Sequence, residues 1–150
     1  GLVDAPATFA RNRLAIAVAP GNPARIGGLP DLSRPGLKVV LADPTVPAGR
    51  YARLALDRAR VVVRPVSLEL DVKAVARKVA AGEADAGIVY VTDVPAPARV
   101  GIPDDANVIA TYPVAVVRAT SNRAGAQAFV DRLLGPAGRS ALAAHGFELP

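Results

Sequence analysis

The chain has no cysteine, no methionine and no tryptophan, and it carries a single histidine. Without cysteine there can be no disulfide framework, no thiol nucleophile and no cysteine-based zinc site. The one histidine, His145, stands beside Gly146 near the C-terminus with no fixed spacing to an acid or a nucleophile, which suits a surface or helix-end role better than catalysis. Carboxylates are equally uninformative. Asp104-Asp105 lies in a loop rich in proline and glycine and reads as turn chemistry, while Glu83 and Asp85 flank a helix end and read as solvated. Neither a phosphate-cradling G-x-x-x-x-G-K-[ST] loop nor a G-x-G-x-x-G turn is present. Catalytic residues, a cofactor site and side-chain metal coordination are therefore all unexpected, and an enzyme is the least favoured class. No apolar run approaches the ~18 residues that a spanning helix requires.

What the chain does have is 150 residues, enough for one well-buried core, and a formal net charge of +5. Such a charge brings nucleic acid into consideration. The 18 Lys and Arg are scattered, however, and only three Tyr and three Phe are available for stacking on bases, so a nucleic-acid partner is not expected. The first residues, Gly1-Leu2-Val3-Asp4-Ala5-Pro6, include no initiator Met and no charged-then-apolar leader; they read as the interior of a longer protein, processed or truncated.

Along the chain, residues 13 to 19 form an apolar strand that ends at the turn Pro20-Gly21-Asn22-Pro23. One helical turn is expected around Leu29 to Leu32. Residues 37 to 43 are nearly all apolar, as in a strand of a parallel sheet buried on both faces. Tyr51, Leu54, Ala55 and Ala59 then recur at helical spacing. Val61-Val62-Val63 reads as a third strand. Asp71 precedes Val72, Val75, Ala76 and Val79, one face of a helix with its N-cap, and Gly82 ends that helix. Residues 86 to 91 make a fourth strand, and Val108 to Val117 is extended with an interruption at Pro113. Two helices close the chain, one carrying Ala126, Phe129, Val130, Leu133 and Leu134 and the other running from Ala137 to Ala144. Strand alternating with helix predicts an α/β fold, a mostly parallel sheet with flanking helices.

In open parallel sheets ligands gather at the carboxyl ends of strands. Two such ends run into helix starts, at Ala48-Gly49 and at Asp71-Val72, each offering free backbone N–H groups and roughly half a positive charge. Tyr90, at the end of the fourth strand, brings a phenol donor to the same edge. Converging, they would make an anion site; taken singly, Pro47-Ala48-Gly49 reads rather as a turn, Asp71 as a cap and Tyr90 as half-buried core.

Four segments, in order and closely spaced, resemble the periplasmic molybdate-binding proteins of ABC transporters. They are Thr8-Phe9-Ala10-Arg11-Asn12-Arg13-Leu14; Ala42-Asp43-Pro44 with Val46-Pro47-Ala48-Gly49-Arg50-Tyr51-Ala52; Gly82-Glu83-Ala84-Asp85-Ala86-Gly87-Ile88-Val89-Tyr90-Val91-Thr92-Asp93; and Tyr112-Pro113-Val114-Ala115-Val116. The stretch from Ala128 to Phe147 is similar to that family's C-terminal helices. The resemblance implies a two-lobed solute-binding protein of the type II periplasmic design whose first lobe is only partly represented. Residues 1-10 would be a remnant of that lobe leading to the hinge, 11-112 a complete second lobe, and 113-150 the return crossover with helices of the first lobe.

Carried over residue by residue, the resemblance implies oxyanion contacts from the backbone N–H of Ala48, the backbone N–H of Val72 and the hydroxyl of Tyr90. The implied ligand is molybdate or tungstate. The implied partner is an ABC transporter permease, and the implied location is periplasmic or extracytoplasmic, with a lipid anchor as one option for the full-length protein. Truncation would also expose the stripe of Phe129, Val130, Leu133 and Leu134 for self-association or for a retained N-terminal fragment. The competing expectation is an oxyanion-sensing effector domain of a transcriptional regulator, which uses the same two-lobed design.

Overall fold

The computed structural model describes residues 1–150, which divide into two compact units: Arg13–Val108, and Gly1–Asn12 together with Ile109–Pro150. No helix is long and apolar enough to cross a membrane.

The 13–108 unit is built on a sheet in the order β3-β2-β4-β1-β5. Its strands are β1 (Ala7–Val18, which begins in the other unit), β2 (Val39–Ala42), β3 (Ser67–Glu69), β4 (Ala86–Tyr90) and β5 (Arg99–Gly101). β2 runs parallel to both β3 and β4, whereas β1 is antiparallel to β4 and to β5. The sheet is thus mixed rather than mostly parallel. The reason lies between β1 and β2, where the chain forms turns and a 3₁₀ turn at Leu29–Ser33 instead of the crossover helix that usually joins parallel neighbours.

Helices α1 (Pro47–Arg58) and α2 (Val72–Ala80) cover opposite faces, and the two-residue period of the strands decides which side chain meets which helix. Val39 and Leu41 pack with Ala52, Ala55 and Leu56 of α1; Val40 and Ala42 pack with Val75 and Val79 of α2. Gly87 lets α2 lie directly on β4, since a Cβ there would stand 2.4 Å from the Val75 Cγ1 and 2.8 Å from the Val40 carbonyl oxygen.

The third strand lies later than the triple valine suggests. The Val61 N–H still bonds the Leu56 carbonyl and so completes the exit from α1, and Pro65 has no N–H to give a ladder. Pairing with β2 starts with the Val66 N–H to the Val39 carbonyl, at 2.8 Å, and runs Val40↔Ser67 to Ala42↔Glu69. Burial alternates strictly from 61 to 70, leaving Val62, Val66, Leu68 and Leu70 exposed beside this edge of the sheet.

Buried Asn107 pins β1 at Leu14, past the middle of the strand. Its amide accepts from the Leu14 N–H at 2.9 Å and donates to the Leu14 carbonyl at 2.9 Å and to the Ile102 carbonyl at 3.2 Å. An apolar space of about 440 Å³ lies between α2 and the 93–98 segment, which includes a short 3₁₀ turn at Ala96–Ala98.

In the other unit, β6 (Ile109–Val114) pairs with β1 and continues through Pro113 without a break. β6 has no other strand partner, so the missing proline N–H interrupts no second ladder. Tyr112 stands between Phe9 and Phe147, with ring centroids 6.1 and 5.7 Å apart. Asp4 pairs with Arg118 at 3.3 Å and Arg123 at 2.5 Å. Helices α3 (Arg123–Leu134) and α4 (Pro136–Ala144) bury no residue, and Phe129 is 63% exposed.

Candidate functional site

Because β3, β2 and β4 are mutually parallel, their carboxyl ends fall on one edge of the sheet. Ala42 pairs with Glu69, so β2 and β3 end level. Continuing the Val39↔Ala86 register sets Ala42 level with Val89, and Tyr90 stands one residue beyond.

The chain leaves β2 through a tight turn. The Asp43 carboxylate accepts from the Thr45 N–H at 2.8 Å and from the Thr45 hydroxyl at 2.6 Å, which holds its pKa below the usual carboxylate range. Its N–H meets the Glu69 carbonyl at 2.8 Å and ties the ends of β2 and β3 together. α1 then opens with Pro47 at its first position, where the absent N–H is no loss. Its N-cap, Val46, supplies no side-chain acceptor, and no acidic residue lies in the first turn. The early amides of α1, including that of Ala48, are therefore uncapped by protein side chains. This start presses hard on the strand end: a Cβ on Gly49 would lie 2.0 Å from the Asp43 carbonyl oxygen and 2.5 Å from that of Ala42, so only glycine permits the approach.

α2 begins differently. Asp71 caps it by accepting from the Ala74 N–H at 2.7 Å, which leaves Val72, the first helical residue, outside the cap bond. Glu69, just upstream, is occupied by Lys78 at 2.7 Å and by the Ser67 hydroxyl at 2.6 Å, and these partners hold its pKa down.

Of the three residues named from sequence, Ala48 is buried and Val72 and Tyr90 are partly buried. All three belong to one apolar cluster with Ala42, Val46, Val75, Val89 and Val94. Two helix starts, each bearing a partial positive charge, thus reach one sheet edge from opposite faces, with a phenol-bearing strand end beside them. That arrangement can receive an anion through donors alone. Two residues of the quoted motifs gain a physical use only here: Gly49 lets α1 approach the strand end, and Asp93, the last residue of the fourth-strand segment, accepts from the Tyr90 N–H at 2.9 Å.

The other residues weighed from sequence lie elsewhere. Asp104 pairs with Arg13 at 2.6 Å and the Asp85 carboxylate accepts from the Lys38 N–H at 2.7 Å. His145 is the C-cap of α4, its Nδ1 2.8 Å from the Ala141 carbonyl oxygen. No group of three or more His, Asp or Glu is placed to hold a metal ion.

Residues 1–148 match the family model described as bacterial extracellular solute-binding protein. The molybdate-binding protein ModA of Mycobacterium tuberculosis is 42% identical over 153 residues, an alignment covering 99% of this chain and 59% of that protein. The chain therefore spans about three fifths of the length of this relative. Among solved structures, a substrate-binding domain ascribed to a molybdenum ABC transporter of Clostridium difficile superposes with a TM-score of 0.75 at 26% identity, covering 97% of this chain and 66% of that one. The periplasmic molybdate-binding protein of Azotobacter vinelandii superposes with a TM-score of 0.68 over 97% of this chain and 68% of that one; at 19% identity it bears on the fold alone.

Proposed function

The chain belongs to the bacterial extracellular solute-binding protein family, and from that premise we propose that it forms the anion-binding part of a protein that captures molybdate or tungstate outside the cytoplasm and delivers it to an ABC transporter permease. The observation that carries this reading is the gathering of the α1 start, the α2 start and Tyr90 in one cluster at the carboxyl edge of three parallel strands. The role is binding, not catalysis.

The donors proposed are the N–H of Ala48, the N–H of Val72 and the Tyr90 hydroxyl. Backbone amides and a phenol suit a fully deprotonated tetrahedral dianion, which needs only to accept. Monohydrogen phosphate carries a proton that wants an acceptor, and the carboxylates at this edge, those of Asp43, Glu69, Asp71 and Asp93, are engaged with Thr45, Lys78, Ala74 and the Tyr90 N–H. The relatives named for molybdate support the choice within this class of anions. Molybdate and tungstate share charge and shape, so both are taken as ligands.

Titration calorimetry of the intact protein tests this reading. Molybdate should bind, and Tyr90→Phe should weaken it by about 1.5–3 kcal/mol, roughly ten- to a hundredfold, as expected for one donor to a charged group. Unchanged affinity in the variant would remove Tyr90 from the site.

A further inference from the structure

Tyr90 closes β4 opposite Leu14 of β1. Both backbone groups of Leu14 are taken by the Asn107 side chain, and the ladder on that side continues instead from the Val91 N–H to the Arg13 carbonyl at 3.0 Å. In an antiparallel pair, facing residues exchange both hydrogen bonds or neither, so the Tyr90 N–H points away from β1 and toward β2. β2 has already ended at Ala42 and turned into α1, which leaves no strand to receive that N–H.

The Asp93 side chain fills the gap. Its Oδ2 accepts from the Tyr90 N–H at 2.9 Å, and its own N–H returns to the Tyr90 carbonyl at 3.0 Å, closing the 90–93 turn from both sides. The Arg99 guanidinium holds the same turn from beneath, donating to the carbonyls of Val91 and, at 3.0 Å, of Val94. Burial pushes the Asp93 carboxyl above the ordinary carboxylate range, opposed by the Tyr90 N–H and by the charge of Lys73 in the first turn of α2. A carboxylate at the edge of an anion site repels the ligand, and its presence there calls for a use that outweighs the repulsion.

We propose that Asp93 is a positioning residue: by accepting from the Tyr90 N–H it fixes the last residue of β4, and with it the direction in which the phenol reaches the anion. The functional half of this inference rests on the oxyanion reading above; the structural half does not. Geometry, not charge, is what Asp93 supplies. Asparagine keeps an acceptor oxygen in place, whereas glutamate keeps the charge but moves the oxygen by one methylene.

Two measurements on the intact protein decide it. Amide hydrogen exchange by NMR should find the Tyr90 N–H protected in the wild type and in Asp93→Asn, and exchanging at least about tenfold faster in Asp93→Ala and Asp93→Glu. Molybdate titration should show Asp93→Ala and Asp93→Glu about tenfold weaker or worse, and Asp93→Asn within about threefold of the wild type. In a Tyr90→Phe background Asp93→Ala should add no more than about threefold, because its effect runs through the phenol.

A Tyr90 amide that exchanges equally fast in all variants overturns the proposal. So does Asp93→Asn binding as poorly as Asp93→Ala, or an undiminished effect in the Tyr90→Phe background. Should Asp93→Ala fail to fold, the opposed Asn and Glu variants still decide between geometry and charge. Wild-type protein that binds no oxyanion would sink the oxyanion reading by itself, and the exchange measurement, which needs no ligand, would still show whether Asp93 holds Tyr90.

Discussion

The 13–108 unit and the unit formed by residues 1–12 and 109–150 hold their elements in different ways. In the first, β2, β4 and the later residues of β1 are buried on both faces, and Leu14, Ile16, Val39, Val75, Ile88 and Val89 are all but inaccessible. In the second, the buried residues are Ala10, Asn12, Ala110 and Val116, and α3 and α4 bury nothing. The contacts there are the rings around Tyr112 and the solvent-exposed ion pairs of Asp4. Apolar content does not explain the contrast, because α3 carries Phe129, Val130, Leu133 and Leu134. Apolar residues stabilise a unit only where the fold gives them something to pack against.

The sharpest way to press this comparison is to cut into the core of the first unit. Ile88→Ala, at a fully buried position of β4, should cost about 2–5 kcal/mol in urea denaturation. A smaller loss than that of any truncation in the second unit would break the contrast.

A milder effect is expected from pH. Glu69 has its carboxyl held below the ordinary value by Lys78 and Ser67, so the folded state favours its ionised form. Its contribution is present above the unfolded value of about 4.5 and fades as pH falls through the lower folded value. Lys78 is 37% exposed, and solvent screening limits the pair to less than about 1 kcal/mol. Thermal melts of wild type and Glu69→Gln should differ more at pH 7 than at pH 3. Asp93 titrates with the opposite sign, its contribution being present in acid and lost as pH rises through its raised folded value, but it is common to both proteins and cancels in the difference.

The smallest effect should come from the largest exposed side chain of the second unit. Phe129→Ala should change stability by less than about 0.5 kcal/mol by the same denaturation measurement. A loss comparable to that of Ile88→Ala would mean that Phe129 is covered in solution.

Much of this was legible in the sequence for physical reasons. Continuous apolar runs marked β2 and β4, Asp71 announced the start of α2, and the spacing of Tyr51, Leu54 and Ala55 marked α1. The third strand was misplaced because Val61-Val62-Val63 has strand composition, while its position depends on where α1 lets the chain go and on a proline with no donor. Strand direction was not legible either. Nothing in the composition of residues 13 to 19 states that β1 runs antiparallel to β4. At the candidate site, the strand-to-helix junctions at Ala48-Gly49 and Asp71-Val72 can be read from order alone, whereas the single donors Ala48, Val72 and Tyr90 come from the family resemblance. Asp93 could not be read so, because its use depends on a bond to the backbone of Tyr90 rather than on its chemical type.

The exposed row of Val62, Val66, Leu68 and Leu70 beside β3 also bears on how the protein behaves when concentrated. An edge strand with apolar neighbours is the usual template for sheet growth between molecules, and the remedies proteins use are brevity, proline and charge. All three are present: β3 has three residues, Pro65 removes a donor just before it, and the exposed Asp71 places a carboxylate just past its far end. The edge therefore offers a second chain few free backbone groups on which to extend the sheet.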